Sequence, residues 1–144
     1  MAERKGLRFL GTEFTERQGR FSPDGRYVAY SSDESGTFEI YVRTFPDAGG
    51  RWQVSKGGSA QQPRWRKDGK QLYYVTGLTQ IMSVDVTTGA AFQSGAPKLL
   101  IDARVPAGYD VAGDGKRFLI AASVAEGSAD PITVVLNWKS ALKR

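Results

Sequence analysis

A chain of 144 residues with net charge +5, no cysteine and no histidine suits one domain that buries roughly two thirds of its unfolded surface without disulfides or thiol chemistry. The missing histidines remove the usual general base near neutral pH, the commonest metal ligand and the middle member of Ser-His-Asp and Cys-His sites. No apolar run approaches the ~18 residues of a membrane span, and the charged start Met1-Ala2-Glu3-Arg4-Lys5-Gly6 leads into no apolar segment. Neither a signal peptide nor membrane insertion is therefore expected.

In chain order, Leu7, Phe9 and Phe14 separated by polar residues predict a leading strand over 7–14. Gln18 to Phe21 predicts a short strand ending in Ser22-Pro23-Asp24-Gly25, where proline pre-sets φ for a turn and glycine supplies positive φ. Tyr27 to Ser31 returns. After Ser32-Asp33-Glu34-Ser35-Gly36, the run Phe38 to Phe45 sets Phe38, Ile40 and Val42 opposite Glu39, Tyr41 and Arg43, which is a strand with two unlike faces. Pro46 to Gly50 turns the chain, and Trp52-Gln53-Val54 is a short fourth strand. A second unit follows through Gln61 to Trp65, the turn at Asp68-Gly69, Gln71 to Val75, Ile81 to Val86 and Pro97 to Ile101. A third runs through Gly108 to Val111, the turn at Asp114-Gly115, Arg117 to Ala121 and Ile132 to Trp138. No stretch of ten residues carries helical periodicity, so the chain reads as nearly all β.

The three turns share one grammar: an apolar residue, a linking pair, Asp-Gly, a Lys or Arg, then an apolar run. Asp24 and Asp68 are 44 residues apart and Asp68 and Asp114 are 46 apart, close to the period of a four-stranded propeller blade. The expectation is an all-β single domain over 1–144: three four-stranded blades, with repeats at about 15–56, 57–104 and 105–144, forming half of a six-bladed β-propeller. The spare strand 7–14 matches the missing fourth strand of the third unit. Exchange of that strand within a homodimer would complete the ring and cover an open sheet edge.

With Phe21-Ser22-Pro23-Asp24-Gly25, Arg64-Trp65-Arg66-Lys67-Asp68-Gly69 and Phe38-Glu39-Ile40-Tyr41-Val42, the chain resembles the TolB-like β-propeller family, whose repeats are WD40-like. It also resembles the C-terminal propeller segment of bacterial Ser/Thr protein kinase-like proteins. Phe45-Pro46, Arg117-Phe118-Leu119-Ile120 and Ile132-Thr133-Val134-Val135-Leu136-Asn137-Trp138 extend that resemblance over nearly the whole chain. It implies a propeller, and a setting that is often extracytoplasmic. It implies no phosphoryl transfer, since there is no His-Arg-Asp loop and no Gly-rich nucleotide loop.

Asp24, Gly25, Asp68, Gly69, Asp114 and Gly115 are read as structural turn residues, each carboxylate bonded to its local backbone rather than converging on a cation. Phe21, Trp65 and Trp138 are read as core, with Trp65 buried between adjacent blades. Arg64-Trp65-Arg66-Lys67 has the look of a basic patch with an interleaved aromatic, but its repeat position assigns the aromatic to an inner strand, and nucleic acid is not the expected partner. Gly113-Asp114-Gly115 lacks the third glycine of a dinucleotide loop, and Ser59 follows Gly57-Gly58 but has Gln61 where the second glycine of a nucleophile elbow would stand. No catalytic residue, cofactor or metal site is assigned. The leading expectation is a non-catalytic scaffold that binds a protein or peptide through its loops. The alternative is a hydrolase or lyase with a carboxylate, Arg or Tyr site in the channel of an assembled ring, and the chain could equally be a piece of a longer propeller.

Overall fold

A computed structural model describes residue 6, residues 8–105, residues 108–121 and the backbone of 132–136. The described residues are all β, without a helix, and none forms a helix long and apolar enough to cross a membrane. The first sheet takes β1 (Glu16–Phe21), β2 (Tyr27–Ser32), β3 (Glu39–Thr44) and β4 (Arg51–Gln53) in simple antiparallel order. The second takes β5 (Ala60–Trp65), β6 (Gln71–Thr76), β7 (Gln80–Thr88) and β8 (Phe92–Ser94), with β9 (Lys98–Asp102) also on β7. The third takes β10 (Tyr109–Val111), β11 (Arg117–Ala121) and β12 (Ile132–Leu136). These are three consecutive propeller blades, half the complement of a six-bladed ring.

Each blade opens with the same turn. Gly25, Gly69 and Gly115 donate their N–H to the carbonyls of Ser22, Arg66 and Ala112, each at 2.9 Å. All three glycines sit at φ between +70° and +73°, where a β-branched side chain is strained. Asp24, Asp68 and Asp114 each accept the N–H two residues on, from Arg26, Lys70 and Lys116, at 2.9 to 3.0 Å. The carboxylates thus close their own turns, and Arg26, Arg66 and Arg117 lie beside them.

Strand alternation then builds two apolar seams. Tyr27, Ala29, Ile40 and Val42 face Leu72, Tyr74, Val84 and Val86 between the first and second blades, with Phe92 and Trp52 at the outer edge. Tyr73, Val75 and Ile81 face Tyr109, Phe118 and Ile120 between the second and third. A polar clip reinforces the first seam, where Arg26 donates to the carbonyls of Thr88 and Gly89 at 2.7 and 3.0 Å.

Four details differ from the sequence reading. The second blade's fourth-strand position is shared: β7 is nine residues long and pairs through Val86–Thr88 with β8 and through Gln80–Ser83 with β9. Residues 8–14 form no strand; Phe9 lies against Phe45 of its own blade at 5.3 Å, and the Thr15 N–H donates to Asp33. Gly11 and the polar pair Thr12-Glu13 interrupt the apolar alternation there, and a tilted aromatic contact takes the place of a ladder. Phe21 is not core but 58% exposed. Trp65, at the same repeat position, is half-buried, because it lies across the preceding blade and donates its indole N–H to the Arg20 carbonyl at 3.1 Å. Phe21 has no preceding inner strand to cover among the described residues, and leans edge-on against Phe45 instead. Leu7 and Trp138 lie outside the described residues.

Candidate binding cleft at the inner strands

The inner strands β1, β5 and β10 each stand at the end of their sheet, so their free backbone edges border the cleft where the ring axis would run. Two of them carry the same irregularity. The β1 register breaks between Arg17 and Arg20, and the β5 register between Gln61 and Arg64. At those breaks Gln18 and Gln62 hold φ of 60° and 57°, a left-handed conformation that a non-glycine residue keeps only where its surroundings impose it. Gly108 occupies the corresponding position of the third blade, with φ of 134°. A bulge re-aims the residues that follow it, and it also leaves room for Pro63, whose missing N–H would otherwise break a ladder bond.

The surroundings that impose this geometry are visible. Gln62 donates its N–H to the Gln18 side-chain carbonyl at 2.8 Å, and its own carbonyl accepts from the Tyr109 hydroxyl at 2.9 Å. The backbone of one residue is therefore held from both neighbouring blades. Burial pushes the Tyr109 phenol far above its ordinary range, so Tyr109 is a fixed neutral donor.

Two residues beyond each bulge stand Arg20 and Arg64, with Asp110 at the equivalent place on β10. They line a cavity of about 470 Å³ together with Gln18, Gln62 and Leu119. It continues into a second, of about 500 Å³, past Phe21 and Trp65. Burial and then the charge of Arg20 lower the pKa of Arg64, against the pull of Tyr109 and Asp110. Both guanidiniums stay charged, since arginine does not deprotonate in proteins.

Their donors are barely used. Arg64 spends one bond on the neighbouring Pro63 carbonyl at 2.9 Å, and Arg20 one long bond on Gly19 at 3.5 Å. Among the described residues neither pairs with a carboxylate, whereas Arg26, Arg51, Arg66 and Arg117 all do. A guanidinium offers five N–H donors in a planar fork. This cleft is equipped to hold an anion.

The residues singled out in the sequence fall elsewhere. Asp24, Asp68 and Asp114 stay in separate turns, and among the described residues no three acidic groups converge as a metal site. The Arg64-Trp65-Arg66-Lys67 run is split: Arg64 lines the cleft, Trp65 covers β1, and Arg66 is tied to Asp68 at 2.7 and 2.8 Å. Glu34 pairs with Arg51, and Asp33 accepts from Thr15. The sequence reading passed over the cleft, although Gln18-Gly19-Arg20-Phe21 and Gln62-Pro63-Arg64-Trp65 recur at the 44-residue spacing of the turns.

Among solved structures, the chain is similar to an oligogalacturonate lyase from Vibrio parahaemolyticus, at 16% identity and a TM-score of 0.62 over 78% of this chain and 31% of that one. TolB from Acinetobacter baumannii matches at 16% identity and a TM-score of 0.60, over 91% of this chain and 31% of its own. An oligogalacturonate lyase in complex with manganese matches at 16% identity and a TM-score of 0.55, over 72% and 27%. The chain thus spans about a third of the length of these proteins. No protein-family model and no curated protein matches it.

Proposed function

We propose that this chain is a non-catalytic propeller module that presents the inner-strand cleft to a protein partner; the support is a TolB-like β-propeller fold whose structural neighbours include both TolB and lyases. One observation carries the reading: the cleft is lined by the charged, sparsely bonded Arg20 and Arg64 beside a Gln62 backbone that Tyr109 holds, and the sequence has no histidine or cysteine to move a proton near pH 7. The same proposal has a second copy close the ring as a homodimer. Its support is Leu119, 42% exposed at the repeat position where Tyr73 is 1% exposed beneath the next blade.

Sedimentation velocity at micromolar concentration tests the assembly, with twice the 15.7 kDa of one chain as the expected mass. A stable, non-aggregating monomer overturns the ring. The competing reading is a channel lyase or hydrolase, favoured by the carboxylate of Asp110 standing beside Arg64. Incubation with oligogalacturonate separates the two. Turnover that is lost in Asp110→Asn overturns the non-catalytic reading.

A further inference from the structure

We propose that the Arg20–Arg64 cleft recognises an extended peptide segment carrying a single carboxylate, an Asp or Glu side chain or a chain terminus, in the midst of uncharged residues. This inference rests on the binding-module reading and specifies its ligand. Two guanidiniums at equivalent positions of adjacent inner strands, each with most of its donors unspent, suit the two oxygens of a carboxylate, which accepts bidentate bonds from arginine. Their mutual repulsion is only partly offset by Asp110 and Tyr109 in the free protein, and an anion bound to both lowers it further. β1, β5 and β10 each end their sheet, and apart from the Gln62 backbone and the Arg20 carbonyl, which are already bonded, an extended peptide can hydrogen-bond along such an edge.

Asp110 decides between ligands. It lines both cavities beside the two arginines, so a second negative charge in the ligand would meet a carboxylate at close range. That disfavours a nucleic-acid strand or an oligophosphate, and it favours one acidic group flanked by neutral ones. The ring of Tyr109, over which Arg64 lies at 5.6 Å, gives the cleft an apolar floor beside the guanidinium.

The test is a titration of the full chain followed by its arginine Nε–Hε and backbone amide NMR signals. Four probes are used: a capped alanine-rich peptide with one central glutamate, its glutamine analogue, an N-capped peptide of uncharged side chains with a free carboxy terminus, and inorganic phosphate. The glutamate peptide is expected to shift the Arg20 and Arg64 signals and the amides around Gln18 and Gln62. The glutamine analogue should bind about tenfold more weakly or worse, as loss of charge-assisted hydrogen bonds implies. Arg64→Gln and Arg20→Gln should each lose about tenfold, with Arg64→Lys between them and the parent because it keeps charge without the fork. Arg117→Gln, which removes an exposed charge outside the cleft, should stay within about twofold. Relative binding of the glutamate and free-terminus peptides tells which source of carboxylate is preferred.

Equal binding of the glutamate and glutamine peptides overturns the proposal. So does an Arg117→Gln loss as large as that of Arg64→Gln, which would reduce the effect to net charge. Phosphate shifting the arginine signals while neither acidic peptide does so overturns it as well, in favour of a small-anion hole. Because the readout is local to the arginines, peptide binding can fail while the dimer and the absence of turnover persist, and that pattern refutes this inference without touching the module reading.

Discussion

Tyr73 and Leu119 stand at the same place in successive blades, 46 residues apart, on the side turned toward the blade that follows. Tyr73 is buried beneath Phe118 of the third blade, edge to face at 5.3 Å and 90°, while Leu119 is exposed. The strand pattern is the same in both; only the supply of a neighbour differs. On the opposite flank of the chain, Val28, Tyr30 and Tyr41 are all buried on the face of the first blade turned away from the second, with the two tyrosine rings stacked at 5.9 Å. Alternation in a propeller sequence therefore states which side chains are prepared for burial. A following blade covers Tyr73 where Leu119 has none, whereas the far face of the first blade is buried without a further blade among the described residues.

The sharpest way to test that statement is to break the filled seam. Phe118 is fully buried, so Phe118→Ala should cost about 3 to 5 kcal/mol, as for other large core truncations. Chemical denaturation measures it. A loss below ~1 kcal/mol would mean that the third blade is not packed on the second as described.

The turns offer a graded version of the same contrast. All three glycines share one φ, but a Cβ on Gly115 would stand 2.5 Å from the Tyr73 hydroxyl and 2.7 Å from Arg66 of the preceding blade, whereas a Cβ on Gly25 meets nothing within 4 Å. Gly115→Val should therefore cost about 3 kcal/mol, from backbone strain plus overpacking, against about 1 to 2 kcal/mol at Gly25 from strain alone. Equal losses would show that the third turn does not press on the second blade.

Alkaline pH probes both seams together. Burial pushes Tyr74 up to about 12, and it raises Tyr30, Tyr73 and Tyr109 as well. Below pH 10 these phenols keep their protons in the folded and unfolded chain alike, so stability is independent of them. Above it the unfolded chain releases protons that the folded chain retains, and stability falls as pH rises toward 12. Tyr74 alone accounts for about 2 kcal/mol over that interval. The acid limb has the opposite sign. A Ser22 hydroxyl bond lowers Asp24, Arg66 lowers Asp68 and Gln71 lowers Asp85, so their contributions vanish as pH drops below the ordinary carboxylate range, and being solvent-exposed they count for little. Tyrosinate absorbance, followed alongside unfolding, checks the alkaline limb. Titration of every tyrosine near pH 10 without loss of stability would sink it.

The blades and turns were legible in the sequence because they rest on local chemistry: Asp-Gly after an apolar residue, and two-residue alternation in Phe38 to Phe45. What escaped is set by tertiary neighbours. No local rule places Gln18 or Gln62 in the left-handed region; that conformation holds because Gln62 is bonded to Gln18 on one side and Tyr109 on the other. Phe21 and Trp65 look alike in the repeat, yet only Trp65 has an earlier inner strand to lie on. The three residues of β8 are too few to announce themselves, and Leu7 to Phe14 alternates well enough to suggest a strand that Phe9, tilted against Phe45, does not form.

The smallest expected effect on a single chain discriminates most about the assembly. Leu119→Ser should change the stability of an isolated chain by no more than about 0.5 kcal/mol, because an exposed side chain buries little on folding. In a closed ring the same residue takes the role of Tyr73, and placing a hydroxyl there would remove apolar contact and introduce an unpaired polar group at the seam. The dimer should then dissociate at concentrations where the parent chain stays associated, while the melting curve of the dissociated chain is unaltered. Sedimentation of the two proteins side by side reads the difference. Identical association in Leu119→Ser and the parent would show that the open face of the third blade is not the surface through which a second copy closes the ring.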